Sequence, residues 1–585
     1  MSEQRTQLAV VGAICALGLA LRLVGLQYGL PAVYNPDEVA IIARALSFAK
    51  GTLNPHNFLY PTFYFYVLFA WVGVYLAFVW LTGRVASLDQ LQKLYFTHPT
   101  GIYTAGRTLG VATGTASIAV LYRLGAMLLD NRGAIAAALF LAVAPLHVRD
   151  SHYVKHDVPV TLTIVAAYLM MARIWPAPRS SSLRSRDTVV AGAACGVAFS
   201  THYYSIFLSM ALVWTLVQGW RPRGWPEVIR QTATAAVVSA IVFFVLSPFI
   251  ALEPLTAVRD IAANRQIVVD RAVTSGAFAP AWRYADMLWR DSMGQPVVAL
   301  ALIGVVWMLA VAPARAVQLL AFPLPFLLFI TNTAPASRYL NPVLPFIAIF
   351  AAWTLTSLCA RAPRGVFWAL LIAAALPGAL GSIRADRFFR QPDTRTLAQA
   401  YIESHIPSGA TIVVQPYSVP LTMSREGLVE ALSKHLGSAE AASTKFQLQL
   451  GLNPYPSPAY RLIYLGSGGL DADKIYVGYD ELGAAMQGLD TLRRLGVAFV
   501  VVKRYNTSDP ATLPFLTALA REGRRIAAFS PYRPGVSEAE QARIDPFLHN
   551  TDTRIDGALE RPGPPLEIWQ LDDSGRVHDR PAAAR

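Results

Sequence analysis

The sequence predicts a polytopic α-helical membrane protein of about 11 transmembrane helices with a C-terminal soluble α/β domain. Three observations carry that reading. Hydrophobic residues fill 54% of the 585 positions and the mean hydropathy is +0.39, more than a soluble core can hide. Apolar runs long enough to cross a hydrocarbon layer recur from residue 8 to about residue 382. From Ile383 onward they give way to short β-rich runs and amphipathic stretches.

Taken in order, spans are expected near residues 8–28, 102–124, 133–148, 158–174, 188–200, 203–219, 231–252, 295–312, 316–334, 339–358 and 365–382. The first reads as a retained span, because its charged start is short, its apolar run exceeds a signal h-region and no small-residue cleavage site follows. Arginines bunch in the connections, at Arg123 with Arg132, Arg173 with Arg179, Arg184 and Arg186, Arg221 with Arg223 and Arg230, Arg315, and Arg361 with Arg364. Loops of this kind are expected in the cytoplasm, which puts the loops carrying Asp37, Asp157 and Arg338 outside, together with the tail. The parity requires that the aromatic run YPTFYFYVLFAWVGVYLAFVWLTG, residues 60–83, does not cross. Its Tyr, Phe and Trp suit the headgroup level, so it reads as an interfacial or re-entrant helix within an outer loop of about residues 29–101. The formal charge of +13 comes from 50 basic against 37 acidic residues, and its location points to orientation and lipid headgroups rather than to nucleic acid.

The expected domains are a membrane body, residues 1–382, and an extracytoplasmic α/β domain, residues 383–585. In the latter, IPSGATIVVQPYSV, GVAFVVVKRY and PPLEIWQL read as strands and SREGLVEALSKHL as a helix. Cys15, Cys195 and Cys359 all lie in apolar runs, so no disulfide framework is implied. No GxxxxGK[ST], no GxGxxG after a strand, no HExxH and no GxSxG occurs, which argues against nucleotide-driven chemistry.

Residues able to do chemistry gather beside the outer ends of the spans. In VYNPDEVAIIARAL, Asn35 as N-cap, Pro36 at the first helical position and Asp37 with Glu38 in the first turn make a good helix start. The same position keeps a carboxylate ionised, as a general base must be. Neighbours on a helix point about 100° apart, so one acid should face a substrate and the other orient or hold a cation. In APLHVRDSHYVKHDVPVTL, Asp157 precedes a span and should sit at the membrane lip, whereas Asp150 and His156 read as members of a solvated loop. His56, His147, His152, His156 and His202 have no metal-ligand spacing. Arg107, His202 and Arg338, with Lys155, are basic groups at one leaflet that would suit a phosphate.

These strings resemble the GT-C glycosyltransferases, in the branch of protein O-mannosyltransferases and aminoarabinose transferases. The matching segments are NPDEVAIIARAL, AGRTLGVATGTASIAVLYRLG, AAALFLAVAPLHVRDSHYVKHD, GVAFSTHYYSIFL and SRYLNPVLPFIAIFAAW, spread over about residues 8–358. The resemblance implies Asp37 as catalytic base, Glu38 and Asp157 as supports, and Arg107 and Arg338, with His202 and Lys155, as contacts to the phosphate of a polyprenyl-phosphate sugar donor. His202 stands where relatives commonly have lysine, and Tyr60 with Pro61 replaces a lysine-containing stretch of the aminoarabinose transferases. The implied reaction is inverting transfer to a hydroxyl of a lipid, glycan or protein acceptor at the outer face of a bacterial plasma membrane, with a divalent cation on Asp37, Glu38 or Asp157 left open. Two other classes share part of the pattern. A lipid-linked sugar flippase or transporter should place ionisable groups at mid-span. A non-catalytic surface-polysaccharide assembly protein would use the tail for binding.

Overall fold

The computed structural model describes residues 2–176, 184–270, 278–465, 474–476, 488–504, 513–549 and 554–571. Its helical body opens with α1 (Ser2–Leu23), α2 (Pro36–Ser47), α3 (Phe63–Leu81), α4 (Leu88–Thr97) and α5 (Pro99–Leu128). It continues with α6 (Asn131–Ala142), α7 (Pro145–Asp150), α8 (Asp157–Ala172), α9 (Ser185–Thr201), α10 (Leu208–Trp220), α11 (Trp225–Leu246), α12 (Pro248–Leu252), α13 (Pro254–Asp270) and α14 (Ala279–Met287). The last helices of the body are α15 (Gln295–Val311), α16 (Pro313–Leu320), α17 (Pro323–Ile330), α18 (Leu344–Leu358) and α19 (Arg364–Phe389).

Proline sets many of these boundaries. It has no N–H to give a preceding turn and disfavours the α conformation at the residue before it, so it opens helices more readily than it continues them. Three expected single spans are split this way: 133–148 between α6 and α7 at Pro145, 231–252 between α11 and α12 at Pro248, and 316–334 between α16 and α17 at Pro323. The last pair bends by 42°. Among the described residues, six helices are therefore long and apolar enough to cross a membrane, seven if the bent pair counts as one, with α6, α8 and α15 as shorter apolar helices. That is fewer than the count expected from the sequence, while the class, a polytopic helical membrane body, stands. Its outward faces carry exposed Val237, Ile241 and Val245 on α11 and Val306 on α15, which water would disfavour and lipid accepts.

The aromatic run forms α3, one uninterrupted helix of 19 residues. It is itself one of the six long and apolar enough to cross a membrane, so its length and composition do not set it apart from a span, contrary to the expectation from the sequence. Trp71 on it donates to Ala105 O and Thr108 Oγ1, both at 3.1 Å, so α3 lies along the first turns of α5. Just before α3, Tyr60 stacks on His156 with centroids 4.4 Å apart. After it, α4 packs against α22 (Thr444–Leu450) of the tail.

The tail is a six-stranded mixed sheet in the order β3 (Ile475–Tyr476), β2 (Arg461–Tyr464), β1 (Thr411–Val414), β4 (Phe499–Lys503), β6 (Leu566–Leu571), β5 (Gly523–Phe529). The first four run parallel, and β6 is antiparallel to both of its neighbours. Both faces are covered. Ile412, Val414 and Val501 pack with α20 (Thr394–His405) and α21 (Arg425–Leu436), while Val413, Val500 and Val502 pack with Phe515 and Leu519 of the helix Leu513–Glu522. That alternation is the period of two of a strand buried on both sides. The three expected strands and the expected helix are all present; β2, β3 and β5 were not anticipated.

The body and tail meet through aromatic rings, hydrogen bonds and, among the described residues, the ion pair of Arg554 with Asp291 at 3.5 Å. Tyr28 and Tyr34, just after α1, join Phe388 and Phe389 at the end of α19 and Phe547 of the tail in a single buried cluster. Tyr28 donates to Asp393 Oδ2 at 3.2 Å, and the Tyr34 hydroxyl lies 2.6 Å from Thr396 Oγ1. Asp393 is paired with Arg395 at 2.7 Å, whose guanidinium covers the Tyr34 ring at 3.8 Å. This docking sets the tail directly over the residues that lead into α2.

Candidate active site

The string Asn35-Pro36-Asp37-Glu38 folds as its residue types require. Asn35 is the N-cap and its side chain accepts from the Asp37 N–H at 3.0 Å, and Pro36 takes the first turn, where no N–H is needed. The two acids then part. Glu38 turns into the body, is fully buried, and accepts from Arg107 Nε at 2.9 Å and Nη2 at 2.8 Å. It also accepts the Val154 N–H at 2.9 Å. Arg107 Nη1 is taken by the carbonyls of Leu26, at 2.8 Å, and Tyr28, at 2.7 Å. One bidentate pair thus ties α2, α5, the end of α1 and the 153–157 segment together.

Asp37 faces the other way, with 44% of its side chain exposed. Lys155 Nζ lies 2.8 Å from its Oδ2, and Arg338 Nη2 lies 3.8 Å from the same oxygen. Among the described residues, Oδ1 accepts no hydrogen bond. Burial alone would raise the Asp37 pKa, but Lys155 and Arg338 outweigh it and hold the carboxyl well below the usual carboxylate range. Lys155 is itself buried, and that burial, with Arg338 nearby, lowers its pKa despite the Asp37 counter-charge. Asp157 is buried at the start of α8, where both cations act on its carboxylate.

Arg338 is held by a network that reaches from α7. Arg149 donates to Asp150 Oδ1 at 3.1 Å and to Ser337 Oγ at 2.7 Å, and Asn341 Nδ2 donates to Asp150 Oδ2 at 2.6 Å and to Arg338 O at 3.0 Å. A close approach in α5 makes room for the connecting segment. A Cβ on Gly110 would come within 2.8 Å of Ser151 O, so only glycine lets residues 151–153 lie on that helix. The 147–157 segment is therefore buried throughout, which corrects the solvated-loop reading of Asp150 and His156. His156 is sandwiched by Tyr60 and Tyr64, with centroids 4.4 and 4.2 Å away. His202 stacks on Tyr204 at 3.8 Å and meets the Tyr60 ring edge at 5.3 Å. Burial, then Arg338, pushes its pKa down to about 3, so it is a neutral imidazole, not the cation that a lysine in its place would supply.

The structure thus gathers Asp37, Lys155, Arg338, Asp157 and His202 into one cluster of mutually interacting groups. Glu38 and Arg107 lie behind it, locked on each other, with four of the five Arg107 N–H groups engaged. The phosphate contact expected of Arg107 does not fit that geometry. Sequence reasoning missed His549, which the tail brings into the field of Lys155, Asp37, Arg395 and Arg338. Its position is fixed by the chain before it: Phe547 packs on Phe388 and Phe389, and Leu548 O accepts from Arg395 at 3.0 Å. Burial and then Lys155 lower its pKa to about 4. No local pattern around His549 could have signalled this. Asn341, three residues after Arg338 in SRYLNPV, did carry a signal, because that spacing brings two side chains to one helical face.

The donor set does not suit a divalent ion. Glu38 is saturated, Asp37 carries an ammonium, and among the described residues no group of three His, Cys, Asp or Glu could hold a metal. An anion between Lys155 and Arg338 fits better.

Residues 102–251 match the family model described as dolichyl-phosphate-mannose-protein mannosyltransferase. The GT-C resemblance read from the sequence is met there, over the stretch that carries Arg107, Lys155, Asp157 and His202. Among solved structures, ArnT from Cupriavidus metallidurans bound to undecaprenyl phosphate is 15% identical, with 88% of this chain and 96% of that chain covered and a TM-score of 0.49. The Archaeoglobus fulgidus oligosaccharyltransferase tethered with an acceptor peptide is 10% identical, with 97% and 88% covered and a TM-score of 0.49. No curated protein sequence matches the chain.

Proposed function

We propose that this protein is an inverting membrane glycosyltransferase that moves a sugar from a polyprenyl-phosphate donor to an acceptor hydroxyl at the outer face of the membrane. The observation that carries this reading is the Asp37 carboxylate: half exposed, ionised, with both cations nearest Oδ2 and, among the described residues, no hydrogen bond to Oδ1. The acceptor hydroxyl gives its proton to Asp37 and its oxygen attacks the anomeric carbon. The bond from that carbon to the phosphate oxygen breaks on the opposite side, and polyprenyl phosphate leaves with the electron pair.

Lys155 and Arg338 receive the leaving phosphate. Its negative charge competes with Asp37 for the same two cations, so the base becomes more basic when the donor is in place. The leaving group departs as a phosphate monoester dianion, whose conjugate acid has a pKa of about 6, and Lys155 with Arg338 stabilises it in place of a general acid. His202, neutral and packed among Tyr60, Tyr204 and His156, forms an apolar wall that keeps water from the anomeric centre. Beside it a lipid-facing cavity of about 320 Å³ runs along α9, α10 and α11, lined by Phe199, Ile206, Leu212 and Phe243, of a kind that accepts an isoprenoid chain.

The tail and the Asp37 side belong outside, in a bacterial plasma membrane, with α3 lying along the outer surface. Contacts at both of its flanks support this: Tyr60 beside the site before it, and α4 against the tail after it.

The test is transfer or release of sugar by the purified protein from a panel of polyprenyl-phosphate sugars. Asp37→Asn should lose about 10²- to 10⁴-fold in turnover while still binding undecaprenyl phosphate. No turnover with any sugar in the panel, or full turnover in Asp37→Asn, would reject the reading.

A further inference from the structure

A cleft of about 750 Å³ opens between the end of α19 and the tail, and its lining includes none of Asp37, Lys155, Asp157, His202 or Arg338. Its helix side is built by Leu380, Ile383, Arg384 and Arg387, spaced so that they share one face. The same ridge continues back along the helix as Leu376 and Ile372, which are 50% and 63% exposed. Going along α19 towards the tail, an exposed apolar strip thus passes directly into two arginines.

The tail completes the cleft with a third, Arg533, whose backbone N–H donates to Ala558 O at 2.8 Å and fixes that segment against residues 556–559. Two acids also line it, but they are turned to their own loop. Asp556 accepts from the Ala558 N–H at 2.9 Å and Glu560 is paired with Arg561 at 2.6 Å. Among the described residues, Arg384, Arg387 and Arg533 make no ion pair. Arginines near the end of a span often only snorkel to the interface, and that explains two of them. It does not explain Arg533, which comes from the soluble domain and converges on the same space.

We infer that this cleft binds one anionic membrane phospholipid, its phosphate held by Arg384, Arg387 and Arg533 and its acyl chains along Leu380, Leu376 and Ile372. The arginine forks suit phosphate oxygens, and the order of apolar strip followed by cations matches an amphiphile standing in a leaflet. The lipid would bridge the two domains, since its headgroup is shared between the last span and the tail. The site does not depend on the glycosyltransferase reading.

Native mass spectrometry of the delipidated full-length protein tests it, with added dioleoyl phosphatidylglycerol, dioleoylglycerol or inorganic phosphate. One phosphatidylglycerol should be retained, and Arg384→Gln with Arg387→Gln should weaken retention about tenfold, with partial rescue by the double lysine variant. Arg533→Gln alone should weaken it about threefold without touching a membrane residue. Dioleoylglycerol and inorganic phosphate should each bind far more weakly, because each supplies half of the ligand. Equal retention in wild type and all three variants would overturn the site. Inorganic phosphate binding as tightly as the lipid would replace it with a free-phosphate site, and diacylglycerol binding as tightly would remove the role of the arginines.

Discussion

Lys155 Nζ lies 2.8 Å from Asp37 Oδ2, and this contact decides when the proposed base can work. Lys155 and Arg338 together hold the Asp37 pKa well below the usual carboxylate range. The sign follows directly. A depressed carboxyl stays ionised as pH falls, so the wild-type rate should show no acid limb from Asp37 in the ordinary range. Lys155→Ala removes the nearer cation, so an acid limb should rise towards about pH 4, with weaker binding of undecaprenyl phosphate. The pH dependence of kcat/KM from 3.5 to 8 would measure it. Superimposable profiles would mean that Lys155 does not tune the base.

The adjacent acids should behave as opposites. Glu38 is buried against Arg107 at 2.8 Å, and removing one charge leaves the other uncompensated in the body. Glu38→Gln should therefore cost about 3–5 kcal/mol of stability, and Asp37→Asn, at a half-open position and with Asp157 still acting on Lys155, should cost less. Thermal unfolding in detergent separates them. A Glu38→Gln protein that melts like wild type but turns over slowly would make Glu38 part of the chemistry.

Some of this was legible in the sequence because it is local. Asp37 at the head of α2 follows from Asn35 and Pro36, and the strands at Thr411, Phe499 and Leu566 follow from their β-branched runs. The pairing of Glu38 with Arg107, 69 residues apart, was not legible, and neither were the burial of His156 nor the arrival of His549. Each depends on which helices touch. An isolated arginine at a span end reads the same whether it faces a phosphate or a buried carboxylate. β3, at two residues, is too short to show a period, and Pro145, Pro248 and Pro323 divide runs whose hydropathy alone looks continuous.

The position of α3 has a direct consequence for topology. If it lies along the outer surface, Gln90 on α4 and Ala400 on α20 face the same compartment. Single cysteines at these exposed sites, in a chain with Cys15, Cys195 and Cys359 replaced, should both react with an impermeant thiol reagent added outside intact cells. Reaction of Ala400→Cys alone would mean that α3 crosses. Protection of both would put the tail in the cytoplasm.

His549 gives the docking of the tail a pH dependence of known sign. Its folded pKa, about 4, lies below the ordinary histidine value of about 6.5, because burial and Lys155 disfavour the imidazolium. Between those two values the unfolded chain binds more protons than the folded one, so stability rises with pH across that window and falls as the sample is acidified through it. His549→Gln cannot titrate and should flatten part of this slope, while leaving Phe547 on Phe388 and Leu548 on Arg395 in place. Melting temperatures of both proteins at pH 4.5, 5.5 and 7 measure the difference. The variant should lose less stability than wild type on acidification, and equal losses would show that His549 is not held where Lys155 and Arg338 can act on it.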